Sequence, residues 1–302
     1  MGLSFGASRT FLRVVIAATM LLTVAVVTPT SALAARPSPT RVLVFHRTAG
    51  FAHDSIPAGV AAITDLGSQF GFAVDSTTDP LVFNDENLSR YDAVVFLSTT
   101  GNVIPGADQR AAFERYIRAG GGFFGIHAAS DMGASVRNTW PWYMNLVGAA
   151  FKGHTATRVW SDTVLPTDLY AGPLSEAPFD ATPAGDGIVY ATWEPAKVIV
   201  EDPSSPTMQG WGRSRVHIDE WYGFLTNPRP NVHVIASLDE TTYNPAAGAM
   251  GDDHPITWCQ SYDGGRSVYT GLGHTTTAWS NGEFLKLIRG GIQMATGEKW
   301  RC

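Results

Sequence analysis

Five histidines and three carboxylates carry most of the chemistry open to this sequence. His46, His127 and His274 each stand just beyond a short apolar run, and His53 and His154 lie in neighbouring loops. Asp131, Asp219 and Glu220 supply carboxylates by the same placement. Imidazole titrates near neutrality, so such a set suits proton transfer, hydrogen bonding to sugar hydroxyls, or metal ligation. The spacing excludes other chemistries: the chain has no HExxH, no CxxC, no GxSxG and no phosphate loop. Thr99-Thr100-Gly101 is too short a signal for a phosphate cradle, and Gly120-Gly121-Gly122 precedes a strand where a nucleotide fingerprint would follow one. No local spacing demands a cofactor; a divalent metal held by His and Asp stays open. The plain alternative for each histidine is a buried, hydrogen-bonded structural role.

The elements that must position these residues alternate between strand and helix. Arg41 to Phe45 reads as a β-branched strand, followed by the His46–Asp54 loop and a helix to about Phe70 that Asp54 or Ser55 caps and Gly71 stops. Phe72 to Ser76 and Ala93 to Leu97 are further strands, and Ala107 to Ala119 is a helix with Phe113, Tyr116 and Ile117 on its apolar face. The Gly122–Ile126 strand then runs into His127-Ala128-Ala129-Ser130-Asp131. This alternation marks a doubly wound parallel sheet, in which ligands meet the carboxyl ends of the strands. The pattern loosens afterwards. A short helix opens at Trp140, a strand covers Thr155 to Ser161, residues 163 to 187 form an excursion, and three strands fall near 197–200, 215–221 and 232–238. Residues 241 to 253 read as a surface loop. Two more strands flank Asp263-Gly264-Gly265, a strong hairpin signal, and a helix from Glu283 to Ala295 closes the chain.

Composition and address narrow the class. Arg9 and Arg13, the apolar run Val14–Val27 and Ala32-Leu33-Ala34 form a secretory signal over 1–34, followed by a leader over 35–40 and one domain over 41–302. The apolar run is shorter than the roughly 20 residues a membrane span needs. Losing the signal takes the formal charge from -6 to -8, which argues against nucleic-acid partners. Sparse charge with abundant glycine, tryptophan and tyrosine suits a small polar ligand with apolar faces, such as a carbohydrate. Self-association is left open. The chain's two cysteines, Cys259 and Cys302, are expected to pair in an oxidising compartment.

The chain resembles the trehalose-utilisation, ThuA-like family. The resemblance rests on Val44-Phe45-His46, Gly50-Phe51-Ala52-His53, Gly125-Ile126-His127-Ala128-Ala129-Ser130-Asp131, Trp140-Pro141-Trp142-Tyr143, Phe151-Lys152-Gly153-His154, Asp219-Glu220-Trp221-Tyr222 and Tyr269-Thr270-Gly271-Leu272-Gly273-His274, in that order. It implies a flavodoxin-like, class I glutamine amidotransferase-like three-layer α/β sandwich, with a mostly parallel sheet and a more mixed second half. It also implies a carbohydrate or keto-sugar substrate. His127 then stands where amidotransferases carry a nucleophilic cysteine, and His274 resembles their partner histidine, so glutaminase activity is not expected. The expected catalytic groups are His127, His274, Glu220 and Asp219. His46, His53, Asp131, Trp140, Trp142, His154, Trp221 and Tyr222 are expected to bind substrate.

Overall fold

The computed structural model describes residues 1–3, 39–161, 182–184 and 188–302. Most of the expected signal, leader and 163–187 excursion lies outside these residues. Pro39–Cys302 is one compact unit.

Strand β1 (Arg41–Phe45) leads to helix α1 (Ile56–Phe70) and β2 (Ala73–Thr77); α2 (Asp85–Leu88) precedes β3 (Ala93–Leu97), and α3 (Ala107–Arg118) precedes β4 (Gly122–Ile126). β3 and β4 are buried along their whole length, as strands covered on both faces by helices must be. Phe96, Phe113 and Phe123 pack there, each buried ring worth about 1.5–3 kcal/mol. Gly120, at φ 95, takes the left-handed exit after α3.

Then come α4 (Gly133–Thr139), α5 (Pro141–Val147), β5 (Phe151–His154), β6 (Arg158–Ser161), β7 (Thr182–Ala184) and β8 (Ile188–Ala191). β9 (Glu194–Val200), β10 (Ser214–Asp219), β11 (Tyr222–Phe224), β12 (His233–Asp239), β13 (His254–Tyr262), β14 (Gly265–Thr270) and α6 (Gly282–Ala295) complete the chain. The 155–161 strand expectation needs correction. Phe151–His154 is itself a strand, paired antiparallel with β11, and a break separates it from β6. The expected 241–253 loop holds two short 3-10 turns.

The main sheet runs β10-β9-β12-β13-β14-β4-β3-β1-β2. β2, β1, β3, β4 and β14 are mutually parallel, and the remainder is antiparallel. The parallel strands therefore end on one edge, which carries the loops after β1, β3, β4 and β14. Four antiparallel steps separate β14 from β10, so β10 points the same way and releases Asp219-Glu220 on that edge too. The hairpin is as expected, with Asp263 (φ 48) and Gly264 (φ 92) forming its two-residue turn. A disulfide joins Cys259 in β13 to Cys302, with a Cα–Cα distance of 5.7 Å. No helix among the described residues is long and apolar enough to cross a membrane.

Candidate active site

β4 delivers His127 at the point where the chain turns sharply. His127 has φ 51, in the left-handed region that L-residues avoid, and opens a 3-10 turn over His127–Ser130. Two groups from β14 and its end hold it there. The Tyr269 hydroxyl donates to the His127 carbonyl at 2.8 Å, and His127 Nδ1 lies 2.8 Å from the Gly271 carbonyl. A carbonyl only accepts, so Nδ1 carries the proton and Nε2 faces inward. The Tyr222 ring packs on the imidazole at 4.2 Å between centroids.

His274 follows the same strand, β14. Its backbone N–H and that of Gly273 donate to Asp219 at 2.9 and 2.7 Å, and the Glu220 N–H donates to Asp219 at 2.9 Å. Asp219 is thus spent on backbone amides. It positions the His274 turn and Glu220. Burial would raise its carboxyl pKa, but His217, the charge of His127 and the Gly273 amide hold it below the usual range.

Glu220 is the hub. Its Oε2 lies 3.4 Å from His127 Nε2 and 3.2 Å from His274 Nδ1, and its Oε1 lies 3.5 Å from His154 Nδ1. Burial works against its charge; the facing imidazoles of His127 and His274 outweigh it and hold the carboxyl well below its ordinary range. His53 arrives from the loop after β1, its ring 4.8 Å from that of His127 and 5.2 Å from that of His274. Burial, then the charges of His127 and His274, lower its pKa to about 2, so its imidazole is neutral. Ser55, an expected helix cap, makes no cap bond; its hydroxyl donates to the Gly273 carbonyl at 3.2 Å and ties the His53 loop to the His274 loop.

His53, His127, Glu220 and His274 therefore converge, with one potential ligand atom each within 4.8 Å of the others, and all four are buried. Their exposures are 5%, 0%, 4% and 6%. The set could hold a metal ion. His154, with 39% of its side chain exposed, stands beside Glu220 toward solvent.

The other expected residues fall elsewhere. His46 lies at the same edge, half-buried and with its pKa lowered by burial, yet outside the four-residue group. Asp131 is also outside it; its backbone carbonyl accepts from Gly101 N–H, and burial raises its carboxyl pKa against the Gly133 amide. Trp140 is buried against α3 and donates to Glu114 at 2.9 Å. Trp142 donates to Asp263 at 2.7 Å, in the β13–β14 turn at the opposite edge of the sheet. Trp221 is buried, its indole donating to the Glu194 carbonyl at 2.8 Å. The three indoles thus have structural partners instead of facing the cluster. Each N–H found a local acceptor, which the aromatic count alone does not reveal. The sequence reading missed Tyr269 and Gly271, whose only signal is their place just before His274. It also missed Phe51, 68% exposed, whose ring lies 4.9 Å from that of His53.

Fold and site together define a flavodoxin-like α/β protein with a histidine–glutamate centre at the carboxyl edge of its sheet. The sequence model of the ThuA family, described as trehalose utilisation, matches residues 41–295, and the chain belongs to that family. Similar solved structures include a ThuA-like protein from Bacteroides uniformis, 23% identical with a TM-score of 0.62, covering 86% of this chain and 93% of that one. Another, from Parabacteroides merdae, is 18% identical with a TM-score of 0.59, covering 87% and 91%. These share the fold. No curated protein matches the chain.

Proposed function

We propose that this chain is an exported carbohydrate-active enzyme that acts on a sugar or keto sugar by histidine–carboxylate proton transfer. The observation that carries the reading is the convergence of three imidazoles on the buried Glu220 carboxylate. Glu220 is the proton acceptor in this reading. His127 and His274 set its charge and orient the substrate, and His154 lines the solvent side. Isomerisation, elimination and hydrolysis of a keto sugar all need a proton moved at a carbon or oxygen beside a carbonyl, which such a centre supplies. The ThuA family's description points to the same substrate class. No sulfur nucleophile stands at the β4 turn, where His127 is found, so acyl transfer from glutamine is not proposed.

Cleavage after Ala34 would release the 41–302 domain with its leader, and the Cys259–Cys302 bridge suits an oxidising compartment. Incubating the purified protein with a panel of sugars and 3-keto sugars, with product detection, tests the activity. Turnover of at least one keto sugar is expected. Tight binding without turnover would replace the enzyme by a carbohydrate-binding protein. Mass spectrometry of the protein from culture medium tests the export, with Ala35 expected at its N-terminus.

A further inference from the structure

The cluster leaves a particular hydrogen-bonding problem. His127 Nδ1 donates to Gly271, and Nε2 is turned toward Glu220 Oε2, 3.4 Å away, in a buried site. No hydrogen bond forms at His127 Nε2, and none at His53 Nδ1, although both side chains are at least nine-tenths buried. Buried polar atoms normally find partners, and leaving one without costs about 1–3 kcal/mol.

A cation between these groups resolves all of this at once. We propose that His53, His127, His274 and Glu220 bind one divalent first-row transition ion. This deepens the functional reading above, since it rests on the same cluster being the reacting centre. The distances fit. Ligands about 2.0–2.1 Å from a tetrahedral ion lie roughly 3.3 Å from one another. Glu220 Oε2 lies 3.4 and 3.2 Å from the facing nitrogens of His127 and His274.

The orientation fits as well. Metal-bound histidines commonly donate their other N–H to a carbonyl or carboxylate, which fixes tautomer and ring plane, and His127 does so to Gly271. The donor set selects the ion class. Three imidazoles and one carboxylate suit zinc, manganese, iron or nickel, whereas calcium and magnesium take oxygen ligands. Thiolate ligation is excluded because both cysteines are in the disulfide. An ion here would add Lewis acidity toward a sugar carbonyl or hydroxyl that entered as a fifth ligand. Glu220 Oε1 lies 3.5 Å from His154 Nδ1.

The test is metal uptake by the full exported protein after chelator stripping, using zinc, cobalt(II) or calcium alone. One zinc or cobalt per chain is expected, with an X-ray absorption edge showing imidazole scattering, and no calcium. His53→Ala and His127→Ala should each weaken zinc at least ~100-fold, beyond the 10- to 100-fold typical of losing an outer hydrogen-bond partner. Substoichiometric zinc, a first shell without imidazole, preferential calcium, or variants that bind as tightly would overturn the proposal. Should the alanine variants fail to fold, the absorption spectrum of the wild type decides. Zinc uptake without turnover of any keto sugar leaves the ion and removes the carbohydrate reading. Full turnover by stripped protein that takes up no metal does the reverse.

Discussion

Two buried histidine–carboxylate clusters flank Tyr222, and they differ in how their polar atoms are partnered. Around His254, both ring nitrogens are engaged. Nε2 lies 2.8 Å from the Tyr222 carbonyl, and Nδ1 lies 2.7 Å from Glu240 Oε1 and 2.9 Å from the Tyr243 hydroxyl. Glu240 also accepts from the backbone N–H groups of Met250 and Gly251. Around Glu220 the contacts are longer, 3.2 to 3.5 Å, and His53 Nδ1 and His127 Nε2 make no hydrogen bond. A closed network rigidifies a fold; one left open inside is poised to receive a ligand. The same residue types thus form a closed network in one place and an open one in the other, and hydrogen-bond accounting tells them apart.

The sharpest way to break this comparison is to truncate one histidine from each cluster. His127→Ala or His274→Ala should lower turnover of a keto-sugar substrate by ~100- to 10,000-fold, as losing part of an acid–base centre does. Thermal melting of the same samples, which reports the cost of truncating a buried side chain, should show them folded at the assay temperature. Initial rates and melting curves decide it: full activity in both variants would move the chemistry elsewhere.

The disulfide supplies a calibration that touches neither cluster. Cys302→Ser opens a loop of sequence separation 43. The chain-entropy relation puts the cost at about 4 kcal/mol, readable by urea unfolding, with the rate per folded molecule unchanged. A loss of activity without a loss of stability would tie the C-terminus to the site.

His254→Ala should be the mirror of His127→Ala. Removing one partner of a buried pair costs about 3 kcal/mol or more, so unfolding should move to lower urea while one zinc per chain is still bound. Loss of zinc in a folded His254→Ala protein would show that the two clusters act as one. The smallest expected effect is Tyr243→Phe. It deletes one hydrogen bond to His254 and should cost about 1 kcal/mol by the same measurement, with turnover unaffected.

Much of the parallel half was legible in the sequence. The β-branched runs at β1 and β3, the glycine exit before β4 and the Asp263-Gly264 turn are local signals, because propensity and turn chemistry act within a few residues. That His127 and His274 would share an edge was read from each following a strand; β14 enters from a hairpin, so strand–helix alternation does not fix its direction. The antiparallel half was less legible. The strand at Phe151–His154 exists through pairing with Tyr222–Phe224, about seventy residues later in sequence, and no local pattern announces such a partner.

The division of labour inside the site was likewise a tertiary matter. Sequence alone determined which residue types were present, which followed strands, and that no thiol stood at the β4 turn. It did not determine that Asp219 would be consumed by the amides of Gly273 and His274 while its neighbour Glu220 met three imidazoles. Nor did it show that the tryptophan N–H groups would find Glu114, Asp263 and the Glu194 carbonyl. Adjacent residues such as Asp219 and Glu220 have nearly the same local sequence environment. Their roles separate only when strands distant in the chain bring specific donors within 3 Å of one and leave the other facing imidazole nitrogens 3.2 to 3.5 Å away. Hydrogen-bond partnership is a property of positions in space, and the folded chain alone assigns it.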